Sequence, residues 1–229
     1  MAQISVIIPT LNAAQCVSET LESVDIPSLV VERLVVDGGS DDETRSVATA
    51  AGARIIEGHQ RGRGMQLAAG AAAAQGGWLL FLHADTVLQD GWATEAERFV
   101  VQQGAGNCAA AFRFGLDHES PGARRLEAMV AWRCRVLALP YGDQGLLISR
   151  VLYEEIGGFK AIPLFEDVDI MRRIGRARLV MLKSWAVTSA IRYQKSGYLV
   201  RSLRNLLCLA LYRLGVPPHR IVRLYGVRP

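Results

Sequence analysis

The sequence predicts an α/β chain built on a mostly parallel central sheet, with helices layered on both faces. Three observations point there. Strand-like and helix-like segments alternate with short connections over the first eighty or so residues, the signature of right-handed βαβ units. Trp78-Leu79-Leu80-Phe81-Leu82 is an uninterrupted apolar run, as expected of a strand buried on both faces. The apolar runs also end on acidic residues, Asp37 and Asp85, and open α/β sheets bind ligands beyond the carboxyl ends of their strands.

Taken in order, Ile4 to Ile8 is a first strand closed by Pro9-Thr10-Leu11-Asn12, and a helix is expected from Ala13 to about Val24. Leu34-Val35-Val36 is a second strand ending in Asp37-Gly38-Gly39-Ser40-Asp41. Ser40 with Glu43 three residues on reads as a capping box opening a helix to about Ala51. Arg54 to Glu57 is a short strand. A basic, glycine-punctuated turn follows, Gly58-His59-Gln60-Arg61-Gly62-Arg63-Gly64, then an alanine-rich helix from Met65 to Ala74 and the strand at 77–82. In the second half, strands are expected at 108–114, 146–149, 179–182 and 185–191. Helices are expected at 121–139, 152–156, 166–174 and 198–214, with a basic tail after Pro217-Pro218. Neither an internal repeat nor a low-complexity linker divides the chain, so one domain with an elaborated second half is expected.

Composition narrows the function. At 229 residues, half hydrophobic and a fifth charged, the chain is globular. The strand at Ile4 begins at once, with no basic and apolar leader before it, and no apolar run is long enough to span a membrane. Cys16, Cys108, Cys134 and Cys208 show no metal-type spacing and read as buried thiols in a reducing cytoplasm. The net charge of +4 is segregated: residues 1–169 carry 22 acidic and 13 basic side chains, whereas 170–229 carry 13 basic and no acidic ones. That points either to an anionic partner for the C-terminal part or to mutual neutralisation of the two parts.

A carboxylate at a strand end can hold a hard divalent cation, which in turn holds a pyrophosphate; Asp85 is such a residue, unless it only caps its turn. Asp37 precedes two glycines, where backbone can approach a ligand, and could accept from a ring N–H of a base. The Glu166-Asp167 pair opens a later helix. A dinucleotide fingerprint is excluded, because no GxGxxG follows the first strand, and no phosphate-binding P-loop motif is present.

Ile7-Ile8-Pro9-Thr10-Leu11-Asn12, Val36-Asp37-Gly38-Gly39-Ser40-Asp41-Asp42-Glu43-Thr44, Gly62-Arg63-Gly64, Leu82-His83-Ala84-Asp85 and Phe165-Glu166-Asp167, in that order, resemble the family 2 glycosyltransferases. The resemblance covers residues 4 to about 175. It implies a GT-A type, Rossmann-like three-layer sandwich and a metal-dependent, inverting sugar transfer from a nucleotide-diphospho donor, in the first place a UDP-sugar. Within the family the chain resembles a small bacterial branch found beside radical-SAM and arsenosugar or selenium-related genes. Arg192-Tyr193…Gly197 and Leu203-Arg204-Asn205 are similar to that branch's C-terminal region.

Carried over by position, the resemblance makes Asp37 the partner of the base, with Pro9, Thr10 and Asn12 lining its pocket and Arg63 along the nucleotide. Asp85 would hold Mn²⁺ or Mg²⁺, and Asp167, with Glu166 beside it, would be the general base. Two positions depart from the family pattern: His83 stands where an Asp is usual, and Gly38 replaces a second Asp. His83 is expected on the ribose or the metal. From the residues themselves, Asp143 and Gln144, in the turn Tyr141-Gly142-Asp143-Gln144-Gly145 that enters a strand, are expected on the acceptor side unless they only form that turn, and Arg192 is a candidate phosphate contact. Residues 1–115 would then bind the nucleotide sugar, 116–195 would carry the acceptor and catalytic groups, and 196–229 would form a basic amphipathic helical segment.

Leu199, Leu203, Leu206, Leu207, Ala210 and Leu214 recur at helical spacing with Arg201, Arg204 and Arg213 elsewhere on the same helix. Such a helix either docks its apolar face on the domain, pairs with a second copy, or lies in an anionic membrane interface. A cytoplasmic protein, free or peripheral on the inner face of the membrane, is expected. Nucleic acid is not an expected partner, since no recognised module accompanies the arginines. The rival functions are a nucleotidyltransferase, which would want a glycine-rich loop after the first strand, and a non-catalytic, membrane-recruited nucleotide-sugar-binding protein.

Overall fold

The computed structural model describes residues 3–58, 62–102 and 104–225; His59, Gln60 and Arg61 of the basic turn, and the last residues of the basic tail, lie outside them. Its strands are β1 (Ile4–Thr10), β2 (Val30–Asp37), β3 (Arg54–Glu57), β4 (Trp78–Phe81), β5 (Thr86–Leu88), β6 (Ala109–Leu116), β7 (Leu146–Ser149) and β8 (Leu179–Thr188). They form one sheet in the order β3-β2-β1-β4-β7-β6-β8-β5. β1 pairs in parallel with β2 and β4, and β2 with β3. The second half is mixed: β7 runs antiparallel to β4 and β6, β8 parallel to β6, and β5 antiparallel to β8.

The helices are α1 (Val17–Ser23), α2 (Thr44–Ala50), α3 (Arg63–Ala73), α4 (Trp92–Val101), α5 (Pro121–Leu137), α6 (Arg150–Glu155), α7 (Glu166–Ile174), α8 (Ile191–Ser196), α9 (Tyr198–Arg213) and α10 (Pro218–Tyr225). Alternation along the strands separates two apolar layers. Val6, Ile8, Val35 and Leu80 pack with α1, α2 and α4 through Leu21, Ala48 and Trp92. Ile7, Leu34, Val36, Leu79 and Phe81 pack with α3, α6, α7 and α9 through Leu67, Leu152, Val168 and Leu209. This is the predicted three-layer α/β architecture, with Trp78 to Leu82 buried as expected.

Several local expectations are corrected. Ser40 does not cap α2: its hydroxyl donates to Asp37 Oδ1 at 2.5 Å, and α2 starts only at Thr44, whose N–H donates to Asp42 Oδ1 at 3.0 Å. The two strands expected at 179–182 and 185–191 are one, β8, paired with β6 on both sides of a register shift where the N–H groups of Lys183 and Ser184 are received by the Glu95 carboxylate at 2.7 and 2.8 Å. Residues from Ile191 are helical, and Pro218 starts α10 instead of a tail, as its missing N–H allows at a first helical position. Cys134 and Cys208 are buried, but Cys16 and Cys108 only partly so.

For α9, three placements of the leucine face were open. Among its described side chains Cys208 and Leu209 are buried, while Leu203, Leu206 and Leu207, and Leu214 just past its end, are 57, 49, 51 and 81% exposed. The leucine face therefore does not dock on the sheet; the side chain of Leu199 lies outside the described residues. Among the described residues no helix is long and apolar enough to cross a membrane.

Candidate active site at the carboxyl edge of the sheet

β2, β1 and β4 are adjacent and parallel, so their carboxyl ends open on one edge within about 10 Å, two strand spacings. At the β2 end, Asp37 is buried and pairs in register with Thr10 of β1. Its Oδ1 accepts from Thr10 Oγ1 at 3.2 Å and its Oδ2 from the N–H groups of Gly39 and Ser40 at 3.2 and 3.0 Å. Arg45 Nε lies 3.7 Å from Oδ2. Asn12, in the left-handed region at φ 53°, donates its N–H to Ser40 Oγ and accepts from Asp41 N–H, both at 2.9 Å. Asp37 and Asn12 thus sew the loops after β1 and β2 together. Gln66 of α3, absent from the sequence reading, completes the seam: its amide donates to Thr10 O and Val36 O, both at 2.8 Å. Pro9 pairs with Val36 beneath this seam.

The chain leaves β4 through Leu82, His83, Ala84 and Asp85 in a tight turn closed by Thr86 N–H on His83 O at 3.2 Å. The Asp85 carbonyl accepts from Ser189 N–H at 3.2 Å and Thr188 Oγ1 at 3.3 Å, which ties this turn to the end of β8. His83 packs against the 141–144 turn so closely that a Cβ on Gly142 would meet Nε2 at 2.5 Å.

Glu166 and Asp167 open α7 behind Phe165, a buried aromatic held at φ 67°. A bulky residue in that region is strained, and stacking on Tyr212 of α9 at 4.8 Å holds it. Asp167 Oδ2 accepts from Gly142 N–H at 3.0 Å and Oδ1 from Val168 N–H at 2.7 Å. Glu166 is buried and paired with Arg63 at 3.4 Å; burial raises its pKa, with Arg63 opposing and Asp167 adding to the rise. Arg63, His83, Gly142, Glu166 and Asp167 line one small hollow. Arg63, Tyr141, Glu166, Asp167 and Asn205 line a second.

Asp143 joins these parts. Its Oδ1 is enclosed and, among the described residues, without a hydrogen-bond partner. Burial pushes its carboxyl up to about 6, Arg133 and Arg63 oppose, and both Asp167 and Asp85 add to the rise. One side chain therefore lies in the field of both carboxylates, Asp85 and Asp167, that the sequence reading assigned to metal and base. Between the ordinary Asp value of about 4 and about 6, the folded protein holds a proton that the unfolded chain has lost. Stability is then greatest below that window and falls as pH rises through it. Asp143→Asn should flatten part of this fall in Tm, measured without nucleotide or divalent cation; a slope identical to wild type would assign the loss to Glu166 or elsewhere.

Gln144 serves the turn itself. Its Nε2 donates to Phe112 O at 3.0 Å, and its Oε1 accepts from Tyr141 N–H and Arg133 Nη2, both at 3.3 Å. Its amide braces the loop. Arg133, 3.5 Å over the Tyr141 ring, was not anticipated; Asn205, singled out only within the Leu203-Arg204-Asn205 segment, lines the second hollow with an Oδ1 that is buried and, among the described residues, unpartnered. The side chain of Arg192 lies outside the described residues. Arg173 pairs with Asp169, four residues before it on the same helix, at 2.6 Å.

Comparison with known proteins bears on this edge. Glucosyl-3-phosphoglycerate synthase of Mycolicibacterium paratuberculosis (strain ATCC BAA-968 / K-10) is 32% identical over 94 residues, 37% of this chain and 29% of the relative. The chain thus matches under a third of that relative's length. The crystal structure of the Mycobacterium tuberculosis synthase with Mn²⁺ and UDP-glucose superposes with a TM-score of 0.65 at 21% identity, covering 94% of this chain and 80% of that one. The same synthase with Mg²⁺ and UDP gives 0.62, 21%, 94% and 80%. These structures share the fold. A family model described as glycosyl transferase family 2 matches residues 5–175, which take in every motif of the edge from Thr10 to Asp167, and the chain belongs to that family.

Proposed function

We propose that this protein transfers a sugar from a nucleotide-diphospho donor, in the first place a UDP-sugar, to an acceptor nucleophile with inversion. The observation that carries this is the shared edge: Asp37 and the Leu82–Asp85 turn leave the parallel strands that flank β1 on the same side of the sheet, and Asp167 lines one hollow with His83 and Arg63; a cation-binding carboxylate and a base on one edge are what such a transfer needs. The mycobacterial synthase of the same fold, with UDP-glucose and Mn²⁺ or with UDP and Mg²⁺, supports the donor class and the cation. Within the family, the segments at Arg192-Tyr193 and Leu203-Arg204-Asn205 support the small bacterial branch.

Asp85 and His83 offer one carboxylate and one imidazole, a donor set that fits Mn²⁺ or Mg²⁺ when substrate phosphates complete the shell. When bound, the cation would neutralise charge developing on the departing diphosphate. The chain's own residues do the rest. Asp37 and Asn12 hold the two loops between which the base sits, with Pro9 and Thr10 on its floor. Arg63, tethered by Glu166, lies toward the phosphates. Asp167, its oxygens aimed by Gly142 and Val168, takes the acceptor proton. Residues 1–115 thus serve the donor and 116–195 the acceptor, in one domain. A panel of nucleotide sugars in a thermal-shift assay with Mn²⁺ should single out UDP-sugars by a rise in Tm that EDTA removes. No shift with any nucleotide would overturn the reading.

We propose further that α9 rests on an anionic membrane surface. Its outward face carries Val200, Leu203, Leu206 and Leu207, with Leu214 just past its end, in a segment from residue 170 on with 13 basic and no acidic residues. Apolar area with surrounding cations is what interfacial helices use. The protein should pellet with vesicles containing anionic lipid, less so at high salt, and Leu203→Asp with Leu207→Asp should abolish this. A dimer in sedimentation that the same substitutions dissolve, without vesicle binding, would give the stripe to a second copy.

A further inference from the structure

A cavity of about 560 Å³ lies between α5 and the strands β6 and β8, well within the range of about 300–1,000 Å³ typical of small-molecule sites. The fold leaves it open for a simple reason. α5 is anchored through Ala123, Leu126, Val130 and Cys134 into a cluster with Phe114 and Leu116 of β6. On the cavity side the helix offers Ala128 and Ala131, too short to reach Met181 and Trp185 of β8 across the gap.

The chemistry of the lining is selective. Phe114, Val130 and Trp185 give an apolar wall, and Arg113 and Arg135 stand beside it. The Arg113 guanidinium lies 4.2 Å from the Trp185 ring centroid, a stacking that holds the charge at the cavity. Nearby acids are already committed. Glu127 pairs with Arg124 at 3.3 Å and accepts from Leu116 N–H at 3.0 Å; Glu119 pairs with Arg124 at 3.4 Å. Glu95 is taken up by the backbone of Lys183 and Ser184. The positive charge of Arg113 and Arg135, with Lys183 also in the lining, therefore borders a space with an apolar wall that is large enough for a ligand.

We propose that this cavity is a second ligand site, for a small amphiphilic anion. Its carboxylate or phosphate meets Arg113 and Arg135, and its apolar body lies on Phe114, Val130 and Trp185. The site is independent of the transferase reading: it reaches Gln144 and lies largely in the 116–195 half, but none of Arg113, Phe114, Val130, Arg135 and Trp185 lines the hollows at Asp167.

Octanoate and octyl phosphate are suitable probes, with octanol and inorganic phosphate as the halves of each. Binding to the full-length protein is read by displacement of 1-anilinonaphthalene-8-sulfonate and by Trp fluorescence. Octanoate or octyl phosphate should displace the dye saturably, at least tenfold better than octanol or inorganic phosphate; the better of the two names the head group. Ala131→Phe, which fills the cavity, should weaken binding tenfold or more. Arg113→Gln with Arg135→Gln should remove the preference for the anions over octanol, and this pair decides the matter if Ala131→Phe does not fold. Displacement untouched by either change, or lost with Leu203→Asp and Leu207→Asp on α9 instead, would overturn the proposal.

Discussion

Asp167→Asn is expected to lower sugar transfer by about 10²- to 10⁴-fold, the usual contribution of a positioned base, while the affinity for UDP with Mn²⁺ stays at the wild-type value. The geometry makes the two effects separable. Asp167 sits in the first turn of α7, where an anion is favoured, and receives Gly142 N–H at 3.0 Å and Val168 N–H at 2.7 Å. An amide keeps one acceptor oxygen but turns an N–H₂ toward the other donor, so one backbone N–H loses its partner. That costs about 1 kcal/mol of stability, a small Tm effect that leaves the nucleotide loops at Asp37 alone. Asp169→Asn is the matching control, because Asp169 is committed to Lys160 at 3.3 Å and Arg173 at 2.6 Å and turnover should survive its loss. Equal damage from both substitutions, or loss of UDP binding with Asp167→Asn, would mean that the base lies elsewhere.

The parallel half of the sheet was legible because its strands are buried on both faces, so Val6 to Ile8, Leu34 to Val36 and Trp78 to Leu82 are apolar without interruption. The motif residues were legible for a related reason: they stand where those runs stop. Ser40 was misread because its hydroxyl had two uses, helix cap or partner of Asp37, and the buried carboxylate takes it. β8 was split at Lys183 and Ser184, whose polarity reflects Glu95 on the facing helix, 88 residues away in sequence. Gln66 and Arg133 had no local signal at all, since each reaches the edge only through tertiary contacts, and Asn205 stood out only as part of a segment, with no role attached. Helical periodicity revealed the leucine stripe of α9, but periodicity cannot say which face of a helix is covered. Tyr212 stacked on Phe165 fixes that choice and turns the leucines outward.

Asp85→Ala should remove the metal-dependent part of UDP binding and lower transfer by about 10²- to 10³-fold or more, the scale seen when one stabiliser of developing charge is deleted. The fold should survive it. What the structure draws from Asp85 is its backbone: the carbonyl receives Ser189 N–H and Thr188 Oγ1, contacts that alanine keeps. The carboxylate also helps to raise Asp143, so its removal should bring the Asp143 pKa down and shift the pH-dependent fall in stability to lower pH. Isothermal titration with UDP, with and without Mn²⁺, reads the first effect, and Tm against pH in the apo protein reads the second. The pairing is informative because the two readouts have different causes. A Tm profile that moves while UDP binding keeps its metal dependence would leave Asp85 on the shared edge but hand the cation to another carboxylate. Asp143 would be the first to test, since its enclosed Oδ1 lies in the same field.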